Sequence, residues 1–139
     1  TYQQLWTEVL RIQAELQISG AKCIAVALPN SAAWVILDLA AALQGIQFVP
    51  VPHFFTESQR QHLINDASVD LMISISVTPS SHEVTIVCAG QALRFTEIPP
   101  AKPLHVTDKA FKISYTSGTT GTPKGVQISM AQVSKTVNA

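Results

Sequence analysis

Charge is scarce in this sequence. Charged residues make up 13% of its 139 positions, and nine basic side chains are balanced by nine acidic ones. A chain without net charge lacks the electrostatic footprint of a nucleic-acid or anionic-membrane binder, so no nucleic acid is expected as a partner. Cysteine is limited to Cys23 and Cys88, both inside apolar runs, where they read as reduced core residues. The four histidines, at positions 53, 62, 82 and 105, form no pair at metal-ligand spacing, and neither HExxH nor CxxC occurs. No metal site is therefore assigned to the chain's own residues. A G-x-S-x-G elbow and a serine–histidine–acid arrangement are missing too, which removes the usual signatures of a serine hydrolase. The longest apolar tract, residues 32–43, is broken by Asp38 and is too short to span a bilayer. The first twenty residues follow an amphipathic pattern, unlike a secretory leader, and a cytoplasmic protein is expected.

What is present is a large apolar fraction, 47%, in a chain long enough for one domain with its own core. Leu5, Val9, Ile12 and Leu16 recur at helical spacing, predicting a first helix over residues 3–18 with Trp6 packing beside its stripe. Residues 23–28 form a continuous apolar run, as in a strand buried on both faces of a parallel sheet. A turn at Pro29, Asn30 and Ser31 leads to an alanine-rich helix over 32–44, closed by Gly45. Strands follow at 46–51 and 69–75. Between them a helix runs to residue 67, with Thr56 and Gln59 at capping-box spacing. A polar loop over 76–83, a short strand at 84–88 and an edge strand at 93–95 come next. Three of the six residues 98–103 are proline, which fits a connector and neither a helix nor a central strand. The expected organisation is a segment over 1–98, a connector over 99–109, and a final unit over 110–139. The alternation of helices and strands argues for an α/β fold with a mostly parallel sheet flanked by helices. His53, Phe54 and Phe55 follow a strand end, where open α/β sheets place ligands, and are candidates to line a pocket.

The last unit holds the most distinctive stretch. Three of the six glycines, Gly118, Gly121 and Gly125, lie there, interleaved with Thr116, Ser117, Thr119, Thr120 and Thr122 and joined by Lys124 between Pro123 and Gly125. Apolar strand-like runs lead in and out. Glycine lets a backbone turn tightly and present N–H groups to a ligand, hydroxyls add donors, and a lysine adds a point charge. From Pro99 onward there are five lysines, at 102, 109, 112, 124 and 135, against Asp108 alone. This is the chemistry of a phosphate cradle. It is not a Walker A loop, because the spacing and the residue after the lysine both differ. Nor does it lie in the first strand-to-helix turn, where a dinucleotide fingerprint belongs.

The run Tyr115-Thr116-Ser117-Gly118-Thr119-Thr120-Gly121-Thr122-Pro123-Lys124-Gly125-Val126 resembles the signature phosphate loop of the adenylate-forming (AMP-binding) superfamily. That superfamily comprises acyl- and aryl-CoA synthetases, adenylation domains of peptide synthetases, and luciferases. The likeness extends back through Val26-Ala27-Leu28-Pro29-Asn30-Ser31, Trp34, Leu39-Ala40-Ala41, Gly45, Val49-Pro50-Val51-Pro52, Thr56 and the run from His62 to Ala67, and covers essentially the whole chain. It implies an incomplete part of the large N-terminal domain of an AMP-dependent synthetase or ligase. The implied reaction joins a carboxylate to MgATP, giving an acyl-adenylate and pyrophosphate, after which a thiol of coenzyme A or phosphopantetheine takes the acyl group.

Carried over position by position, the resemblance makes Thr116, Ser117, Gly118, Thr119, Thr120, Gly121 and Thr122 the wrap around the β- and γ-phosphates. Lys124 would neutralise the departing pyrophosphate, and Thr116 and Lys124 are the residues it implicates in catalysis. The family's magnesium-binding glutamate, ribose-binding aspartate, hinge, carboxylate-contacting lysine and acyl pocket are expected downstream of position 139. The isolated chain is accordingly expected to be inactive and to self-associate through a truncated face. His53, Phe54 and Phe55 lean the substrate towards a fatty or aryl acid. Two other functions fit the residues: a stand-alone phosphate- or nucleotide-binding module, and a non-catalytic interaction protein with a remnant loop.

Overall fold

The computed structural model describes residues 1–78, 83–102, 110–118 and 121–139, with the backbone alone at Ala110. The elements run α1 (Tyr2–Ser19), β1 (Cys23–Ala27), α2 (Ala32–Gln44), β2 (Gln47–Pro50), α3 (Glu57–Asp66), β3 (Leu71–Ile75), β4 (Val84–Cys88), β5 (Gln91–Glu97), β6 (Ala110–Thr116), β7 (Lys124–Ser129) and α4 (Met130–Val137). Among the described residues one sheet has the order β4-β5-β3-β1-β2-β6-β7. Its four middle strands, β3, β1, β2 and β6, run parallel. Antiparallel pairings add β5 and β4 on one side and β7 on the other. The α/β fold with a mixed, mostly parallel sheet is therefore as expected.

Helices cover the sheet on both faces because alternate residues of the central strands are apolar in both directions. Ile24 and Val26 of β1, Phe48 of β2 and Leu71 and Ile73 of β3 pack under α1 and α2, which contribute Val9, Ile12, Leu16, Ile36 and Leu37. The intervening Cys23, Ala25 and Val49 face the other way, onto Leu63 and Ala67 at α3, together with Ile113 and Tyr115 of β6. Burying one such large side chain contributes about 1.5–3 kcal/mol, against about 1 kcal/mol for a helix cap. Packing therefore outweighs local propensity in holding the helices. The caps still set where they begin. Thr1 with Gln4, Thr56 with Gln59 and Ser129 with Gln132 form capping boxes, and Ser31 caps α2.

Asp70 ties the sheet together before β3 begins. Its carboxylate accepts hydrogen bonds from the backbone N–H groups of Lys22 and Cys23 at 2.9 and 3.1 Å. This anchors the start of β1 with charge-assisted bonds, which are stronger than neutral ones.

Two readings are adjusted. The strand expected at the edge over 93–95 is Gln91–Glu97, and it lies inside the sheet between β4 and β3. Its partner β4 returns through a tight turn at Ala89 and Gly90, both with positive φ (47° and 78°), so the hairpin places β4 outermost. Leu5, placed on the buried stripe of α1, is 36% exposed, and Trp6 is 52% exposed, whereas Val9, Ile12 and Leu16 are fully buried. Residues 103–109 of the connector, and residues 79–82 of the polar loop, lie outside the described residues.

Cys23 and Cys88 are free and buried. Burial, with a smaller push from Asp70, raises the Cys23 thiol from 9.0 to about 12. Burial, with Glu8 adding to it, raises Cys88 to about 11. Between those values and 9.0 the unfolded chain has released protons that the native chain still holds, so stability must fall as pH rises. Chemical denaturation at stepped pH is expected to show full stability below about pH 9 and a progressive loss towards about pH 12. A chain with Cys23→Ala should show a shallower loss. An unchanged slope would contradict the burial argument.

Candidate phosphate-binding site

The carboxyl ends of β1, β2, β3 and β6 open onto one edge of the sheet, because these strands are parallel. Open α/β sheets bind ligands at that edge. Two features lie along it. One is a cleft of about 660 Å³, lined by Ala27, Asn30, Trp34, His53, Arg60 and Ser74 among others. The other is the glycine- and hydroxyl-rich loop that joins β6 to β7.

The loop is the connection of an antiparallel hairpin in which Thr116 faces Lys124 and Tyr115 faces Gly125. Gly118 and Gly121 have φ of 46° and 77°, a left-handed conformation costly for other residues, so glycine is required where the chain reverses. Gly125 is needed for a different reason. A Cβ there would come within 2.9 Å of Tyr115 Cζ and 3.0 Å of Ile113 Cγ2, so the hairpin closes only over a bare backbone.

Thr116, Ser117, Gly118, Gly121, Thr122 and Lys124 are all exposed at the loop, while Pro123 between them is buried. The structure thus brings these predicted site residues together on one turn. Thr119 and Thr120 lie outside the described residues. The lysines of this region have different fates. Lys112 Nζ is 2.8 Å from Asp38 Oδ2 and 5.2–5.4 Å from the ring centroids of Trp34, Phe48 and Phe111, so its charge is spent inside the fold. Lys124 is exposed beside the loop.

Helix α3 carries residues that the motif alone did not single out. Tyr115 donates its hydroxyl hydrogen to Asp66 Oδ2 at 2.7 Å. His62 Nε2 is 3.1 Å from the carbonyl oxygen of Pro123. That oxygen can only accept, so Nε2 carries the hydrogen. Gln59 makes a long contact, 3.5 Å, from Nε2 to the carbonyl oxygen of Gly121. Burial first, then the bond to Asp66, pushes the Tyr115 hydroxyl far above its ordinary range, so it remains a donor at all working pH. A sequence signal for this face existed. Positions 59, 62 and 66 share one side of a helix, and an aspartate in the last turn opposes the helix dipole unless a tertiary partner holds it.

His53, Phe54 and Phe55 pack edge to face in succession, with ring centroids 5.5 and 5.4 Å apart, but they differ in where they face. His53 lines the cleft, Phe54 is 64% exposed, and Phe55 is in the core. Arg60, from α3, also lines the cleft, and its Nε is buried without a hydrogen-bond partner among the described residues. No cluster of three or more histidine, cysteine, aspartate or glutamate side chains that could hold a metal occurs among the described residues. None of the described helices is long and apolar enough to cross a membrane.

Residues 1–139 match the family of AMP-binding enzymes. The chain belongs to that family. AMP-binding relatives include pyochelin synthetase PchF of Pseudomonas aeruginosa, 32% identical over 99% of this chain and 8% of that protein. Another is the D-alanine–D-alanyl carrier protein ligase of Bacillus licheniformis, 30% identical over 93% of this chain and 27% of that one. Among solved structures, o-succinylbenzoate coenzyme A synthetase of Bacillus subtilis in complex with AMP aligns with a TM-score of 0.69 at 24% identity, over 99% of this chain and 39% of that one. The chain therefore spans well under half the length of the AMP-binding proteins it matches.

The tight closure over Gly125 makes a direct test of the hairpin. Gly125→Ala is expected to lower stability by about 1–3 kcal/mol, the usual cost of overpacking, because the buried Tyr115 ring is held by Asp66 and cannot swing aside. Thermal unfolding compared with Gly121→Ala, where a Cβ would meet nothing within 4 Å and only the positive φ resists, separates steric from conformational cost.

Proposed function

We propose that this chain supplies the pyrophosphate-side loop of an ATP-dependent ligase that activates a carboxylic acid as an acyl-adenylate and passes it to a thiol. The observation that carries this reading is the β6–β7 hairpin. Thr116, Ser117, Gly118, Gly121 and Thr122 are exposed at the carboxyl edge of the sheet with Lys124 next to them. Family membership over the whole chain supports it.

In the first step a carboxylate oxygen attacks the α-phosphorus of ATP. A C(O)–O–P linkage forms, the bond from that phosphorus to the bridging oxygen breaks, and pyrophosphate leaves. Negative charge grows on the leaving group, and donors already in place lower that barrier most. Thr116, Ser117, Gly118, Thr119, Thr120, Gly121 and Thr122 wrap the β- and γ-phosphates, and Lys124 offsets the growing charge. In the second step the thiol sulfur attacks the acyl carbon, the thiol proton is lost, and AMP departs with the electron pair of the broken bond.

Magnesium would screen the phosphates, and in this reading its glutamate ligand lies downstream of these residues, as the family resemblance implies. The same holds for the acyl pocket, so the isolated chain is inactive in this reading. The relative named as a D-alanine–D-alanyl carrier protein ligase supports an amino-acid-type carboxylate and a carrier thiol over a fatty or aryl acid and coenzyme A.

ATP–pyrophosphate exchange on the full-length polypeptide that carries this chain, screened over amino, aryl and fatty acids, tests the proposal. Lys124→Ala is expected to reduce exchange about 100-fold or more, the scale of losing one charge-stabilising donor. Exchange unaltered by Lys124→Ala would sink the assignment and favour a remnant loop. Steady turnover by the isolated chain would overturn its proposed dependence on the rest of the enzyme.

A further inference from the structure

Helix α3 presents two donors to the phosphate hairpin, and both go to carbonyl oxygens: His62 Nε2 to Pro123 at 3.1 Å and Gln59 Nε2 to Gly121 at 3.5 Å. The pattern has a physical consequence. Carbonyl oxygens carry partial negative charge and would repel a phosphate. In a trans peptide the carbonyl and the following N–H point in opposite directions, and none of the described peptide bonds is cis. Drawing the carbonyls of Gly121 and Pro123 onto α3 therefore turns the N–H groups of Thr122 and Lys124 away from the helix.

We propose that His62, assisted by Gln59, is a positioning residue that sets the polarity of the phosphate loop, holding carbonyls against α3 and leaving N–H donors on the opposite side. The rest of α3 makes it a firm support. Leu63 is fully buried, and Asp66 holds Tyr115 at 2.7 Å from the base of the same hairpin. Gln59 does two jobs with one amide. Its Oε1 accepts from the Thr56 N–H at 2.9 Å, completing the helix cap, while its Nε2 reaches the loop. The start of α3 and the loop are thereby held in register.

The effect on ATP rests on the ligase reading above, whereas the effect on the loop does not. Two measurements on the full-length polypeptide separate them. By limited trypsin digestion, read by mass spectrometry at the Lys124–Gly125 bond, His62→Phe should speed cleavage about fivefold, because cleavage follows the opened fraction of the loop and one hydrogen bond of about 1 kcal/mol is lost. Gln59→Glu keeps the capping oxygen, removes the donor, and should speed the same cleavage. In steady-state kinetics, His62→Phe should lower kcat/KM for ATP about fivefold and leave the KM for the acid unchanged. His62→Gln, which returns an N–H donor near the Nε2 position, should restore both readouts. Unaltered cleavage in His62→Phe, or His62→Gln as impaired as His62→Phe, would overturn the proposal. Faster cleavage in variants of a parent with no adenylating activity would uphold the brace and overturn the ligase reading.

Discussion

The burial of β1 on both faces is the constraint on which the rest of the structure depends. Cys23, Ile24, Ala25 and Val26 are all fully buried, so neither face of the strand can be left to water. Apolar side chains pointing in both directions demand cover on both sides, and α1 and α2 supply one while α3 supplies the other. Connections that place helices alternately on the two faces leave the central strands parallel. Parallel strands end on one edge. The cleft at β1, β2 and β3 and the hairpin after β6 therefore share that edge as a consequence of core packing.

Charge is arranged around the same scaffold with few residues. Two lysines twelve positions apart on one hairpin are put to opposite uses. Lys112 points to the α2 side, where Asp38 neutralises it and three aromatic rings surround it. Lys124 stays in solvent beside the glycine turn. An exposed ammonium loses little by moving to a phosphate, while a paired, partly buried one would have to abandon its carboxylate. Of these two lysines, only Lys124 is exposed at the loop.

Most of the element order was legible. The continuous apolar run of β1, the cap before α3 and the glycine after α2 each signal a boundary by local chemistry, and the observed elements fall where those signals lie. The place of β5 was not legible. A strand with Leu93 and Phe95 buried on one face and Arg94 between them reads as an edge from its composition, and only its pairing with both β3 and β4 makes it internal. At the site, the hydroxyl and glycine run identified the loop because its backbone geometry needs those residue types. The supports on α3 were legible only in part: positions 59, 62 and 66 share one side of the helix, and the run from His62 belongs to the family likeness, but Gln59 read as a cap and nothing local named Pro123 or Gly121 as partners.

The glycine-rich stretch is where the two kinds of information divide. Its sequence determined that a turn forms there, that it is rich in donors, and that a lysine follows, because these are properties of the residues themselves. Tertiary structure decided which lysine remains available, which glycine exists to admit Tyr115, and which way the loop's carbonyls face. Those outcomes depend on contacts between residues about sixty positions apart, such as His62 with Pro123 and Gln59 with Gly121. No local pattern specifies such contacts; they arise when the sheet brings α3 and the hairpin onto the same face.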